Sequence, residues 1–335
     1  MKIAILTPTF NYHSGMDRVA QQQAEDYAKK GNKVTIIALE AKIKSNKYKV
    51  IELGMPKNHF FQIIYRLFFF LDSKKLNYYK KLKGTDIVIS HLYPMTWLAY
   101  KAKKEFKLKY IYFDHGINTT GLLNNSVHEV YMKLFLFFNN ITLKNIDEAF
   151  SVSKYLSNQL WKESGIKSKV VYNKIDKKRF NRKVKRNKVR KKYNLKNNKI
   201  LLYVGRIAPH KGIHLLLKSF NIIKKQIPNA KLIIVGKPTF NNYFRKLKKI
   251  ANKDVIFTGF VADEKLPDYY ADCNIYVTSS LWEGFNLPAA EAQACGKKVV
   301  AFNIGSHSEI IKNGKLVQKG DTSKFAQEII KILGK

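Results

Sequence analysis

The sequence predicts an α/β protein of two doubly wound domains, and three observations carry that prediction. Short runs rich in Ile, Val, Leu and Tyr alternate from end to end with segments of helical period, the pattern of βαβ units and parallel sheets. At 335 residues the chain is longer than one hydrophobic core usually organises. The alternation also breaks once, in the basic stretch DKKRFNRKVKRNKVRKKYNLKNN, and then starts again.

The first strand is expected at residues 2–6, in an apolar run too short for a signal peptide. After a polar loop, Met16, Val19, Ala20, Ala24, Tyr27 and Ala28 share one helical face, and Gly31 is placed to end that helix. Further strands are expected at 34–39, 86–90, 110–113, 149–152 and 170–172. The basic stretch has no apolar period and almost no acid, so residues 179–197 read as an exposed linker between a domain of residues 1–178 and one of 198–335. In the second domain, strands at 200–204, 232–235, 255–258, 275–278 and 298–302 each precede a helical pattern. Two such domains leave a cleft between them. Ligands of these sheets bind beyond the carboxyl ends of strands, so chemistry is sought directly after each strand.

A net charge of +38 calls for a polyanion, an anionic membrane surface or a phosphate-rich substrate, or reflects a lysine-rich compositional bias. Cys273 and Cys295 form no C-x-x-C and each falls in an expected helix, which suits a reduced, cytoplasmic setting. The longest apolar runs, 67–71 and 134–138, fall far short of the roughly 20 residues that span a bilayer.

Following the strand at 200–204, GRIAPHKG places Arg206 and Lys211 about a turn that enters a helix. Two cations beside free backbone N–H groups and the positive end of a helix can hold a diphosphate; alone, they can equally be solvated surface charges. After the strand at 275–278 comes SSLWEGFNLPAAEAQACG, with Glu283 on a loop, Pro288 suited to a first helical turn, Glu291 expected in that turn, and Gly296 ending the helix. A carboxylate accepts two hydrogen bonds from a vicinal diol, so the pair can read ribose or hexose hydroxyls, while the amides of Gly284, Phe285, Asn286 and Leu287 face an anion. Glu291 alone could simply complement the helix dipole. In HSGMDRV, Gly15 opens the first long helix and would let a phosphate or sugar approach the backbone, or is ordinary turn chemistry. His115, in DHG, stands at a strand end. His210 and His214 have the spacing of a zinc-binding helix, yet Lys211 stands where a general-base glutamate would be and there is no D-x-D; no metal and no other cofactor is expected.

Taken together, SGMDRV, FDHG, SVSKYL, the NKID segment, YVGRIAPHKG and VTSSLWEGFNLPAAEAQACGKKVVAFNIGSHSEII resemble the family 4, or group 1, glycosyltransferases of the GT-B fold, in the family's order and over nearly the whole chain. The resemblance implies two Rossmann-like domains facing across a cleft, and retaining transfer of a hexose from a UDP- or GDP-linked donor. It also implies roles. Arg206 and Lys211 would neutralise the diphosphate, Glu283 would contact the hexose and Glu291 the ribose. The amides of Phe285, Asn286 and Leu287 would cap phosphates or sugar, His115 would approach the hexose, and Gly15 would lie against diphosphate and acceptor. Three features depart from the family pattern: Ser14 where a second glycine is common, Lys174 where a glycine is frequent, and a chain that stops at Lys335 without a helix crossing back.

HFFQIIYRLFFFLDSKK and YMKLFLFFNN are rich in Phe and Ile with flanking cations, and read either as a surface resting on anionic lipid beside a lipid-linked acceptor or as core-facing helices. The expected place is therefore the cytoplasm, peripheral to the inner membrane face, with a glycan or lipid-linked acceptor. A sugar-nucleotide epimerase or phosphorylase on the same fold is the alternative. A basic nucleic-acid-binding protein fits less well, because no recognised motif is present, and a nicotinamide-dependent oxidoreductase lacks G-x-G-x-x-G.

Overall fold

A computed structural model describes residues 1–11, 15–117 and 126–334. They form two compact units, Met1–Tyr172 and Asn173–Lys335. Among the described residues, the first unit holds a seven-stranded parallel sheet made of β1 (Lys2–Phe10), β2 (Lys33–Ala41), β3 (Lys49–Glu52), β4 (Ile87–Ser90), β5 (Lys109–Asp114), β6 (Glu148–Ser151) and β7 (Lys169–Val170), in the order β3-β2-β1-β4-β5-β6-β7. The second holds a six-stranded parallel sheet of β8 (Lys199–Val204), β9 (Ala230–Val235), β10 (Val255–Gly259), β11 (Ile275–Thr278), β12 (Val299–Phe302) and β13 (Gly314–Val317), ordered β10-β9-β8-β11-β12-β13. Both are doubly wound, as the alternation predicts.

Central strands are continuous apolar runs because helices cover both faces. In β8, KILLYV, every residue from Ile200 to Val204 is buried. The following helix, Ile213–Gln226, turns Ile213, Leu216, Leu217, Phe220 and Ile223 inward at helical spacing and leaves Lys218, Lys224 and Lys225 outside the core. In the first unit the helix Lys154–Ser164 starts where Ser153 caps the N–H of Leu156 and ends at Gly165, whose φ of 71° lies in the left-handed region.

The structure departs from the sequence reading in four places. Strands β3 and β13 were not expected; both are four-residue edge strands with partly exposed faces, so neither shows a continuous apolar run. Residues 179–197 are no free linker, because Phe180, Val189 and Leu195 are buried in the core of the second unit and Lys188–Lys192 is helical. Asp272 anchors that helix by accepting from the N–H groups of Val189, at 2.7 Å, and Arg190, at 3.1 Å. Cys273 and Cys295 each sit one residue past a helix, buried and unpaired in disulfides.

Each sheet reverses its winding at one point, between β1 and β4 in the first unit and between β8 and β11 in the second. The loops leaving those strands diverge to opposite faces and open a crevice there. His91 follows β4, while Gly205 and Ser279 follow β8 and β11.

Candidate active site

In the second unit, three loops meet at the reversal point. Gly212, at φ 64°, ends the loop after β8, and a Cβ added there would lie 2.1 Å from the carbonyl oxygen of Ser279 on the loop after β11. Only glycine permits that approach. Ser279 Oγ returns a 2.8 Å hydrogen bond to the Gly212 carbonyl, and the N–H of Leu281 donates to the His210 carbonyl at 2.8 Å. On the other side Gly305, after β12, leaves 2.2 Å between a notional Cβ and the Glu283 carbonyl oxygen, and the Ser306 N–H donates to that oxygen at 3.2 Å.

This clamp holds Glu283 at 8% exposure. Lys211 Nζ lies 2.7 Å from its Oε1, and Ser280 Oγ donates to the same oxygen at 2.8 Å. Burial would raise the Glu283 pKa, but the charge of Lys211 and those two hydrogen bonds outweigh it and leave the carboxyl below its ordinary range. Lys211 and Glu283, assigned in the sequence to different parts of one ligand, are thus partners of each other. Arg206 is exposed at the end of β8. Between these groups sits His210, whose pKa is pushed down to about 3 by burial and by the cations of Lys211 and Arg206. Its neutral ring marks where both cations are felt. His214 lies in the next helix, with Nδ1 2.9 Å from the Tyr243 hydroxyl, so the two histidines do not share a helix.

The helix Leu287–Ala294 begins at Asn286, which has left-handed backbone (φ 67°) and caps the N–H of Ala289 at 3.2 Å. Pro288 has no N–H. The amides of Gly284, Asn286 and Leu287 donate to no other group among the described residues. Asn286 Nδ2 donates to Nε2 of His307 at 2.9 Å, while Nδ1 of that ring donates to the Phe302 carbonyl at 2.6 Å. These partners fix one neutral tautomer, and burial lowers the His307 pKa accordingly. Glu291 is the fifth residue of the helix and so lies beyond the first turn expected for it. It is 2% exposed and accepts a 2.7 Å hydrogen bond from Tyr270. Both carboxylates act on one neighbour, Tyr276, whose hydroxyl burial holds protonated and whose pKa Tyr203, Glu283 and Glu291 raise further.

In the first unit, Gly15 is exposed and opens the helix Gly15–Lys29; Ser14 before it lies outside the described residues. His115 follows β5, partly exposed, with its Nε2 2.7 Å from Nδ1 of the fully buried His91. Burial pushes the His115 pKa down to about 3. Asp114 beside it is driven up to about 7 by burial, although the Gly116 N–H and Ser151 hydroxyl partly offset this. Sequence reasoning missed Ser280, Tyr270, His307 and His91. Only His91 carried a signal, since it immediately follows a strand expected at 86–90. Among the described residues no group of three His, Cys, Asp or Glu is placed to hold a metal ion.

Comparison with known proteins bears on the family and the fold. The profile of Glycosyltransferase Family 4 matches residues 13–179 and that of Glycosyl transferases group 1 matches residues 185–335. The capsular polysaccharide biosynthesis glycosyltransferase CapM of Staphylococcus aureus is 33% identical over 155 residues, 44% of this chain and 40% of that one. The first curated relatives are matched over only 33% to 66% of their own lengths. Sucrose-phosphate synthase from Thermosynechococcus elongatus shares the fold with a TM-score of 0.82 at 22% identity, over 100% of this chain and 90% of that chain. Anabaena HepE, solved with UDP-glucose, does so with 0.77 at 19%, over 99% and 89%. Two profiles of one enzyme group, in succession along both units, establish that the chain belongs to the group 1, family 4 glycosyltransferases.

Proposed function

We propose that this chain is a retaining, metal-independent glycosyltransferase that moves a hexose from a nucleoside diphosphate sugar to a glycan or lipid-linked acceptor. One observation carries the reading: at the reversal point of the second sheet, the Lys211–Glu283 pair sits beside the open amides of Gly284, Asn286 and Leu287, with Arg206 leaving the neighbouring strand. Cations and unengaged N–H groups suit a diphosphate, and a buried carboxylate held ionised suits sugar hydroxyls. HepE binding UDP-glucose supports a UDP-linked donor, and CapM, a capsular polysaccharide enzyme, supports a glycan acceptor.

In this reading the bond from the anomeric carbon to the diphosphate breaks and charge grows on the leaving phosphate oxygen. Arg206, Lys211 and the loop amides of residues 284–287 stabilise that charge. The acceptor oxygen bonds the same face of the carbon, and its proton passes to the departing phosphate. Glu283 holds hexose hydroxyls, Glu291 the ribose diol, His115 a hexose oxygen, and Gly15 leaves room for the diphosphate.

A membrane-resting surface completes the proposal. Phe60 and Phe61 are 63% and 58% exposed, with Ile63, Ile64, Leu71, Val130, Leu134 and Phe137 also out of the core, against the alternative of wholly core-facing helices. The helices His59–Leu67 and Ser126–Thr142 that carry most of them pack together, with the Tyr131 hydroxyl on the Ile63 carbonyl. Cations flank them, which suits an anionic bilayer. Among the described residues no helix is long and apolar enough to cross a membrane.

A thermal-shift panel of UDP-, GDP- and ADP-sugars tests the donor, since a ligand of the folded state alone raises its stability. Glu291→Ala is expected to weaken nucleotide binding, and Arg206→Ala to slow turnover more than it weakens binding. Equal loss of both parameters in each variant removes the assigned roles.

A further inference from the structure

We propose that His91 is a positioning residue that fixes His115 as the neutral tautomer protonated on Nδ1, so that His115 offers its substrate an N–H donor and not a basic lone pair. The inference rests on reading His115 as a substrate contact.

Strands β4 and β5 are parallel neighbours, with Ser90 opposite Tyr112, and each is followed at once by a histidine. The two rings stack at 5.0 Å between centroids and 19° between planes, and Phe113 packs on both, at 5.5 Å from His91 and 5.4 Å from His115. The 2.7 Å contact between His91 Nδ1 and His115 Nε2 holds a single proton. Its position follows from the far side of the His91 ring. Nε2 of His91 is buried without a hydrogen-bond partner among the described residues. Were His115 the donor, a neutral His91 would carry its own proton on that Nε2, as a buried orphan N–H. Orphan donors are rarer in folded proteins than under-satisfied acceptors. His91 therefore carries its proton on Nδ1 and donates, His115 Nε2 accepts, and the remaining proton of the neutral His115 ring is on Nδ1. That atom makes no hydrogen bond among the described residues.

Burial lowers the pKa of both rings, and for His91 the neighbouring His115 lowers it further. The nearest carboxylate along the chain, Asp114, is turned to the Gly116 N–H at 2.9 Å and the Ser151 hydroxyl at 3.2 Å, away from this contact. The pair thus stays neutral, and an N–H aimed outward from a neutral ring can donate to a sugar hydroxyl or an oxygen gaining charge but cannot abstract a proton.

Nitrogen-15 histidine labelling of the full chain reads each tautomer from the ring couplings across the neutral pH range, with His115→Ala supplying the assignment. The expected wild-type spectrum has His115 protonated at Nδ1 and bare at Nε2; protonation at Nε2 overturns the proposal without any variant. His91→Phe keeps a stacked ring and removes the donor. It should move His115 toward the Nε2-protonated form and lower kcat for UDP release from UDP-glucose by more than about tenfold, with KM nearly unchanged, because a misplaced tautomer is costly. His91→Asn, which returns an N–H near the lost one, should recover most of that rate. An unchanged tautomer in His91→Phe, or Asn failing wherever Phe fails, overturns the proposal. The reading of His115 fails separately: His115→Ala turning over at the wild-type rate removes the contact while leaving the tautomer result intact.

Discussion

At the scale of single residues, Glu283 shows how a buried charge is made tolerable and useful together. Its carboxylate is retained ionised because one cation and one hydroxyl converge on Oε1. Lys211→Met should cost about 3 to 5 kcal/mol at neutral pH, since removing one partner strands the other charge. The sign of the pH dependence follows. In the wild type the folded-state pKa is depressed, so the pair stabilises above the ordinary Glu value of 4.5 and that contribution is lost as pH falls through the folded value. In the variant burial dominates and the folded pKa rises above the unfolded one, so the deficit shrinks on acidification. Denaturant melts of both proteins at neutral and mildly acid pH check this; a gap that does not narrow in acid contradicts the pairing. The charged members of the site were legible because each follows a strand. Their partners were not, because Ser280, Tyr270 and His307 acquire meaning only when separate loops or helices meet.

Among elements, what could be read depended on burial. Strands β1, β2, β8 and β9 are continuous apolar runs because both faces are covered, and they stood out. Edge strands β3 and β13 are only partly covered, show no continuous apolar run and were invisible. Residues 179–197 are strongly basic, and that charge hid three irregularly spaced apolar anchors, Phe180, Val189 and Leu195. The helix His59–Leu67 is the converse case. Its Phe-rich sequence left both core and membrane open, and the exposure of Phe60 and Phe61 excludes only a wholly core-facing helix. Replacing both by Ser should leave the folded stability within about 0.5 kcal/mol per site, as for exposed positions generally. Binding to phosphatidylglycerol vesicles should fall by about tenfold or more as their apolar contribution is removed. Flotation at low salt reads this, and vesicle binding equal to wild type would take these side chains out of the interface.

For the molecule as a whole, the distribution of histidines sets the response to acid. His91, His115, His210, His214 and His307 all have lowered pKa values, with burial the largest cause in each. Unfolding frees these rings to protonate, so the unfolded chain binds more protons than the native one below the ordinary value of 6.5, and down to about 3 for His115 and His210. Asp114, raised to about 7, has the opposite sign but is one group against five. Melting temperature should therefore fall steadily as pH drops below neutral; calorimetry across that range checks it, and a flat or rising Tm contradicts it. The doubly wound plan was legible from alternation alone, whereas the high net charge, +38, said least about function. The glycine contacts at Gly212 and Gly305 have a consequence of another kind. Because they bolt neighbouring turns to one another and not to a guest, the floor of the proposed donor site keeps its shape when empty. Little entropy is then lost there on ligand entry, and discrimination among sugars can come from a rigid mould instead of one that assembles around whatever arrives.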